Sequence, residues 1–302
     1  MPFHKVAIIG LGLLGGSIGL AVREHLPGVA TTGYDADEAV RKRAGELELV
    51  DQVFETAIDA VTGADLVILA IPVGAMKAAA REIAPGLEID TVVSDVGSSK
   101  QTITRDLMQA LPRHIVIPAH PVAGTEDSGP DAGFATLFHQ RWCIITPPAG
   151  AEADKVAALV NFWEELGAMV EIMDAGHHDR VLAVTSHIPH LIAYTIVGTA
   201  SDLEQVTRSE VIKFSAGGFR DFTRIAASDP VMWRDVFLHN REAVLEMMDR
   251  FLTDLALMRE AIKAGDGETM QDVFTRTRAI RRSIVALGQD EDRPDFGRGG
   301  KL

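Results

Sequence analysis

His120 stands in the stretch "AHPVAGTEDSG", where an apolar segment over residues 114–121 gives way to proline and glycine. An imidazole at the carboxyl end of a buried strand is suited to accept a proton at neutral pH, although a lone histidine there also reads as a turn residue. Ser98, Ser99 and Lys100 form a second polar group, directly after an apolar run that ends "SDVG". Near the N-terminus, Gly10-Leu11-Gly12-Leu13-Leu14-Gly15 is a GxGxxG pattern that follows apolar residues 6–9. In such a turn the first glycine permits the sharp reversal, the second lets the backbone approach a pyrophosphate, and the third lets helix and strand pack closely. The helix that opens there offers N–H groups and partial positive charge to phosphate. A second apolar run, residues 29–34, ends in Asp35, placed to accept bonds from adenosine ribose hydroxyls and to repel a 2′-phosphate. NAD is therefore expected over NADP, with Asp35 and Asp37 as turn or cap residues the alternative.

The second half of the chain adds two clusters. "TSHIPH" sets His187 and His190 three apart on one helical face, with Pro189 between them. Proline removes a helix hydrogen bond, so a kink or a helix start is expected. The HxxH spacing, without an accompanying acid or cysteine ligands, argues against zinc even with His177 and His178 nearby, and no metal is expected. In "GGFRDFTRIAASDPVMWRD", Arg220, Arg224 and Arg234 lie among Phe219, Phe222 and Trp233. A guanidinium there either grips a ligand carboxylate or forms a structural ion pair with Asp221 or Asp235.

The elements that position these groups follow from the apolar pattern. Val- and Ile-rich runs over residues 64–72, 91–97, 114–121, 141–148 and 168–173 alternate with helix candidates over 75–83, 101–110 and 153–166. Runs without clean alternation suit strands buried on both faces, so a doubly wound, mainly parallel α/β sheet is expected to about residue 173. Ligands of such sheets bind beyond the carboxyl ends of the strands, which places Ile71 and Pro72 with Leu13 and Leu14 beside the cofactor. After Asp174 the strand signals stop. Residues 178–200 read as a long buried helix, and Val244, Met248, Phe251, Leu255, Met258 and Ile262 recur at steps of four and three along another. Leu245 and Leu252 widen that stripe, so a helical domain with a homodimer interface is expected, an internal bundle being the alternative. The expected domains are 1–173 and 174–288, with a polar, glycine-rich tail over 289–302 expected to be disordered.

Composition narrows the partners. A net charge of −14 opposes binding to nucleic acid or anionic membrane, and an anionic small ligand would need cations gathered locally. The apolar run over residues 6–22 carries five glycines and leads into Arg23-Glu24-His25, so it is not expected to be a signal or a membrane span. The one cysteine, Cys143, lies in an apolar run and cannot form an internal disulfide, which makes a reducing cytoplasm the expected compartment.

Taken in order, "GLGLLGGSIGLAV", "DVGSSK", "HPVAGTEDSG", "SHIPH" and "GGFRDFTRIAASDPVMWRD" resemble the prephenate/arogenate (cyclohexadienyl) dehydrogenases of tyrosine biosynthesis, over nearly the whole chain. The resemblance implies a Rossmann-type NAD domain followed by an all-helical dimerisation domain. It also implies a cyclohexadienyl substrate, oxidised by hydride transfer to NAD with loss of carbon dioxide. Carried over by motif, His120 accepts the proton of the ring hydroxyl, Ser98 orients it, and Arg224 binds a substrate carboxylate. Ser186, His190, Thr125 and, less directly, His187 line the substrate. Two other readings remain at this stage: a 3-hydroxyacid dehydrogenase of the 6-phosphogluconate dehydrogenase-like superfamily, with Lys213 as its catalytic lysine, and a non-catalytic NAD sensor needing only Gly10, Gly12, Gly15 and Asp35.

Overall fold

The computed structural model describes residues 3–125, 127–202 and 217–286; Lys213 and the tail over 289–302 lie outside them. The first half alternates as expected: β1 (Lys5–Ile9), α1 (Leu13–His25), β2 (Ala30–Tyr34), α2 (Glu38–Glu46), β3 (Gln52–Val53), α3 (Ala57–Val61), β4 (Leu66–Leu69), α4 (Val73–Ile83), β5 (Val92–Asp95), α5 (Gln101–Ala110) and β6 (Ile115–Val116). The strands form one parallel sheet in the order β3-β2-β1-β4-β5-β6. Side chains alternate across a strand, so β1 sends Val6 and Ile8 into one apolar layer and Ala7 and Ile9 into the other. Both layers are covered by helices, which explains the unbroken apolar runs. The strand order reverses between β1 and β4, leaving the turn after β1 at the crevice where such sheets bind ligands.

The segment over 114–121 is not one strand. Pro118 has no N–H to continue the ladder, and beyond it the chain enters a second sheet of β7 (Ala119–Pro121), β8 (Trp142–Ile145) and β9 (Met169–Ile172). There β7 runs antiparallel to β8, and β8 is parallel to β9 through α6 (Ala153–Glu165), which stops at Gly167 with φ +87°. This break takes His120 off the main sheet.

The long helix expected from residue 178 starts earlier and contains a defect. α7 (Ala175–Leu182) runs through a π-helical turn (Ala183–His187) into α8 (Ile188–Asp202). The Ile188 N–H reaches back to the Ala183 carbonyl, one residue further than in an α-helix, directly before Pro189. The missing proline N–H is thus absorbed by a wider turn instead of a break. The later half is more exposed than the expected buried helix, with Ile196 and Val197 open. Then come α9 (Gly217–Thr223), α10 (Pro230–His239), α11 (Arg241–Ala264) and α12 (Gly267–Ala286). Asp229 caps α10 by accepting the Met232 N–H at 2.7 Å.

By packing, residues up to Met247 form one compact unit and those from Met248 a second. The first extends past residue 173 because side chains of α7, the π turn and Asn240 are hydrogen-bonded to each other and to the start of α5. In the second, Asp266 caps α12 through Thr269. The apolar stripe of α11 is buried at Val244, whereas Leu255 is 51% and Ile262 66% exposed.

Two glycines give opposite expectations. A β-carbon on Gly19 would lie 2.1 Å from the Leu49 carbonyl oxygen, whereas one on Gly45 meets nothing within 4 Å. Gly19→Ala is expected to cost about 2 kcal/mol or more, while Gly45→Ala gains up to about 1 kcal/mol from helix propensity. Thermal melts of both variants check the contrast, and equal midpoints would contradict the packing described.

Candidate active site

The glycine turn is shaped for a dinucleotide. Gly10 has φ +99°, and a β-carbon there would sit 2.4 Å from the Ala70 carbonyl oxygen and 2.7 Å from Ile71 Cγ2. A β-carbon on Gly15 would lie 1.8 Å from the Gly10 carbonyl oxygen, but one on Gly12 meets nothing within 4 Å. Gly10 and Gly15 are therefore closed by the protein's own backbone, whereas Gly12 faces open space that a pyrophosphate can enter. The first intrahelical bond of α1 runs from Gly16 N to Gly12 O, so the N–H groups of Leu13, Leu14 and Gly15 are the unpaired ones of a helix start. Ile71 packs at the turn, and Pro72 precedes α4.

Asp35, directly after β2, is half-buried and serves as a turn residue. Its Oδ2 accepts Leu11 N at 2.9 Å and its Oδ1 accepts Asp37 N at 3.0 Å, which ties it to the glycine turn. A carboxylate has about four lone-pair sites, so capacity remains for ribose hydroxyls. Nearby, Arg41 donates to the Asp35 and Ala36 carbonyls and to Glu55 and lies over the Tyr34 ring, so this guanidinium is already engaged.

At the carboxyl end of β5, Lys100 is fully buried and joins the two sheets. Its ammonium is paired with Asp95 and donates to the Ala119 carbonyl at 2.6 Å, next to His120. Burial pushes the Lys100 pKa down and that of Asp95 up, and their mutual attraction opposes both. His120 is only 7% exposed. Its Nδ1 lies 2.8 Å from His178 Nε2, and His178 Nδ1 lies 2.9 Å from Asp179 Oδ1. The Asp179 carboxylate also accepts Lys100 N at 2.7 Å and Gln101 N at 3.0 Å, the first N–H groups of α5. Burial, followed by the neighbouring His178, Lys100 and His187, drives the His120 pKa well below 6.5. The ring is neutral at neutral pH, as a proton acceptor must be. Among the described residues nothing hydrogen-bonds to His120 Nε2, and that atom is not among the sealed, unpartnered ones.

The π turn brings the helical cluster to the same region. His187 is fully buried, with Nδ1 3.0 Å from Asn240 Nδ2, and Asn240 also donates to the Asp179 carbonyl at 2.9 Å. Burial lowers the His187 pKa to about 4, against the pull of Asp179 and the Ser98 backbone. Ser98 itself is half-buried in the loop after β5. His190 Nδ1 donates to the Ser186 carbonyl at 2.8 Å, and its ring stacks on Trp233 with centroids 3.7 Å apart. Burial lowers the His190 pKa, with the Ser186 carbonyl opposing and the Arg224 charge adding to the fall, so Arg224 is within electrostatic reach. Arg220 pairs with Asp221 and Arg234 with Asp235, the structural alternative for those two arginines. Thr125 is exposed in the loop after β7, where it accepts Asp127 N at 3.2 Å.

His178, Asp179 and Asn240 were not singled out as site residues from sequence. The adjacent His178 and Asp179 carry a weak local signal, but their partners lie 58 to 79 residues away along the chain.

Residues 18–172 match the family model of the prephenate dehydrogenase nucleotide-binding domain, and residues 174–276 match that of its dimerization domain. The first match begins inside α1, so the glycine turn rests on its own geometry. The chain is 44% identical over 290 residues to the cyclohexadienyl dehydrogenase of Zymomonas mobilis, covering 96% of this chain and 98% of that protein. It is 34% identical over 281 residues to the prephenate dehydrogenase of Bacillus subtilis, covering 92% and 76% respectively. The crystal structure of prephenate dehydrogenase from Aquifex aeolicus, in complex with hydroxyphenyl propionate and NAD+, superposes with a TM-score of 0.87 at 31% identity, over 93% of this chain and 98% of that one. A dinucleotide turn, a buried neutral histidine within β7 and a helical wall of histidines thus accompany matches across both halves, and the chain belongs to the prephenate dehydrogenase family.

Proposed function

We propose that this protein catalyses NAD-dependent oxidative decarboxylation of prephenate, of arogenate, or of both, giving 4-hydroxyphenylpyruvate or tyrosine. The observation that carries the reading is His120: neutral, held through one ring nitrogen, with the other left for a substrate. His120 accepts the proton of the ring hydroxyl while the carbon bearing it is oxidised, and the ring carboxylate leaves as carbon dioxide when the ring becomes aromatic. Bound NAD supplies the hydride acceptor. Gly10, Gly12, Leu13, Leu14 and Gly15 hold its pyrophosphate, Asp35 its ribose, and Ile71 and Pro72 border it. The engaged Arg41 and the acidic Asp35 both disfavour a 2′-phosphate.

On the substrate side, Ser98 orients the hydroxyl and Arg224 binds a carboxylate, the local cation that a chain of charge −14 requires. His190 and Ser186 line the pocket, Thr125 closes it from the loop after β7, and His187 supports its floor. The domains are assigned as 1–173 for the cofactor and 174–288 for substrate and self-association. The molecule is a homodimer whose contact includes the exposed apolar stripe of α11. The helix over Ala175–Asp202 is long and apolar enough to cross a membrane by composition. Asp179 and His187, however, bind its first half into the site, so its exposed half is also assigned to the subunit contact. Buried Cys143, with no partner for a disulfide, fits the reducing cytoplasm.

Turnover of each substrate with NAD and NADP tests the reading. kcat/KM with NAD is expected to exceed that with NADP by about tenfold or more, and no turnover of prephenate or arogenate with either cofactor would overturn the function. His120→Asn is expected to lose about 100-fold or more in kcat, with NAD affinity retained by calorimetry. Arg224→Ala is expected to raise KM by about 10- to 100-fold, as for loss of a charge-assisted contact. Because the His120 pKa lies well below 6.5, the base stays unprotonated as pH falls to that value. kcat/KM should therefore be level from about pH 8 through 6.5 and fall only below it.

A further inference from the structure

We propose that His178 and Asp179 are positioning residues that set the tautomer of His120, leaving its Nε2 as the proton acceptor, and that share the charge formed when it is protonated. The inference rests on the function given above and extends it to two residues outside the motifs that carried the family resemblance.

The hydrogen-bond directions follow from one fixed point. Asp179 Oδ1 accepts the Lys100 N–H at 2.7 Å and Oδ2 accepts the Gln101 N–H at 3.0 Å, so both oxygens face donors and the group acts as a carboxylate. His178 Nδ1, 2.9 Å from the same Oδ1, must then carry a hydrogen. His178 is fully buried and neutral, which leaves a lone pair on Nε2. That lone pair lies 2.8 Å from His120 Nδ1, so His120 must donate there. In a neutral imidazole the other nitrogen is then the acceptor. The polarity runs from a carboxylate at the positive end of α5, through two rings, to Nε2 of His120.

The same chain serves the charged state. When the substrate O–H bond breaks and a bond forms from its proton to His120 Nε2, the ring gains a positive charge in a buried site. Its Nδ1 proton is already directed at His178 Nε2, so the cation is spread toward the Asp179 carboxylate, which stays ionised. Among the described residues, the other charged or titratable groups around His120 are Asp95 at the end of β5, Lys100 directly before α5, His187 from the π turn and Cys143 from β8. The Lys100 ammonium opposes a cation on His120, whereas His187, with its pKa lowered to about 4, is neutral. Asp95 is paired with Lys100, and burial holds the Cys143 thiol neutral. Asp179 is therefore the carboxylate coupled to His120 through a hydrogen-bonded path.

Two experiments test this. In the wild-type protein labelled with 15N-histidine, long-range proton–nitrogen spectra are expected to place hydrogens on Nδ1 of His120 and Nδ1 of His178. A hydrogen on Nε2 of neutral His120 overturns the proposal, and this readout needs no turnover. In parallel, His178→Phe keeps a ring of similar volume without the lone pair, whereas His178→Gln offers a carbonyl that accepts from Nδ1 but cannot carry the charge. His178→Phe is expected to lose about 100-fold in kcat with KM and NAD affinity within about twofold, and His178→Gln to recover about tenfold of that loss. The acid limb of kcat/KM is expected at lower pH in His178→Phe and in Asp179→Asn, because each removes support for the cation. Equal losses in the Phe and Gln variants with an unmoved acid limb would mean that His178 only fills space, and would sink the idea.

Discussion

The site depends on one buried carboxylate. Asp179 is almost wholly removed from water, where an ionised group survives only if its lone pairs are used. It uses them on the Lys100 and Gln101 amides and on His178. The two amides are the first N–H groups of α5, so the charge meets the positive end of a helix whose own donors would otherwise be unpaired. One interaction thus caps a helix of the parallel sheet, docks α7 against it and anchors the ring that touches His120. Asn240 extends the clamp by binding the Asp179 carbonyl and His187.

Around that clamp the site is buried and electrostatically opposed to protonated histidine. His120, His178 and His187 all have lowered pKa values, with burial as the main cause in each. Lys100 contributes to this at His120 and His178 while its ammonium is held by Asp95 and Ala119. A base kept neutral by low dielectric and a nearby ammonium gains strength only as far as its environment supports the cation formed in the reaction. A buried site that also shelters that transient charge resolves the conflict through a hydrogen-bonded path to a carboxylate.

The cofactor side uses different physics. There the work is done by shape and by backbone dipoles. Gly10 and Gly15 allow contacts that any side chain would block, and Gly12 leaves a space. The apolar surface of α11, in contrast, has no chemistry to perform, and its exposure in a single chain fits the family's dimerization domain, which matches residues 174–276.

Much of this was legible in the linear chain because it depends on near neighbours. The GxGxxG turn, the strand that ends at Asp35, the Gly167 stop and the helix over 101–110 each rest on spacing within a few residues, and each is found where the pattern places it. The motif strings were specific enough to name the family, and they marked His120 and Arg224. Pro118 and Pro189 were visible too, but their effects were not: one diverts the chain into a second sheet, the other is met by a π turn, and the choice depends on which partners lie within reach. Tertiary structure alone decided that His178 belongs to His120, that Asp179 caps a helix 78 residues away, and that Arg220 and Arg234 are held by acids. Hydrogen bonds between distant residues leave no periodicity in a single chain, since they need only the right group at one point in space, and folding alone brings that point into being.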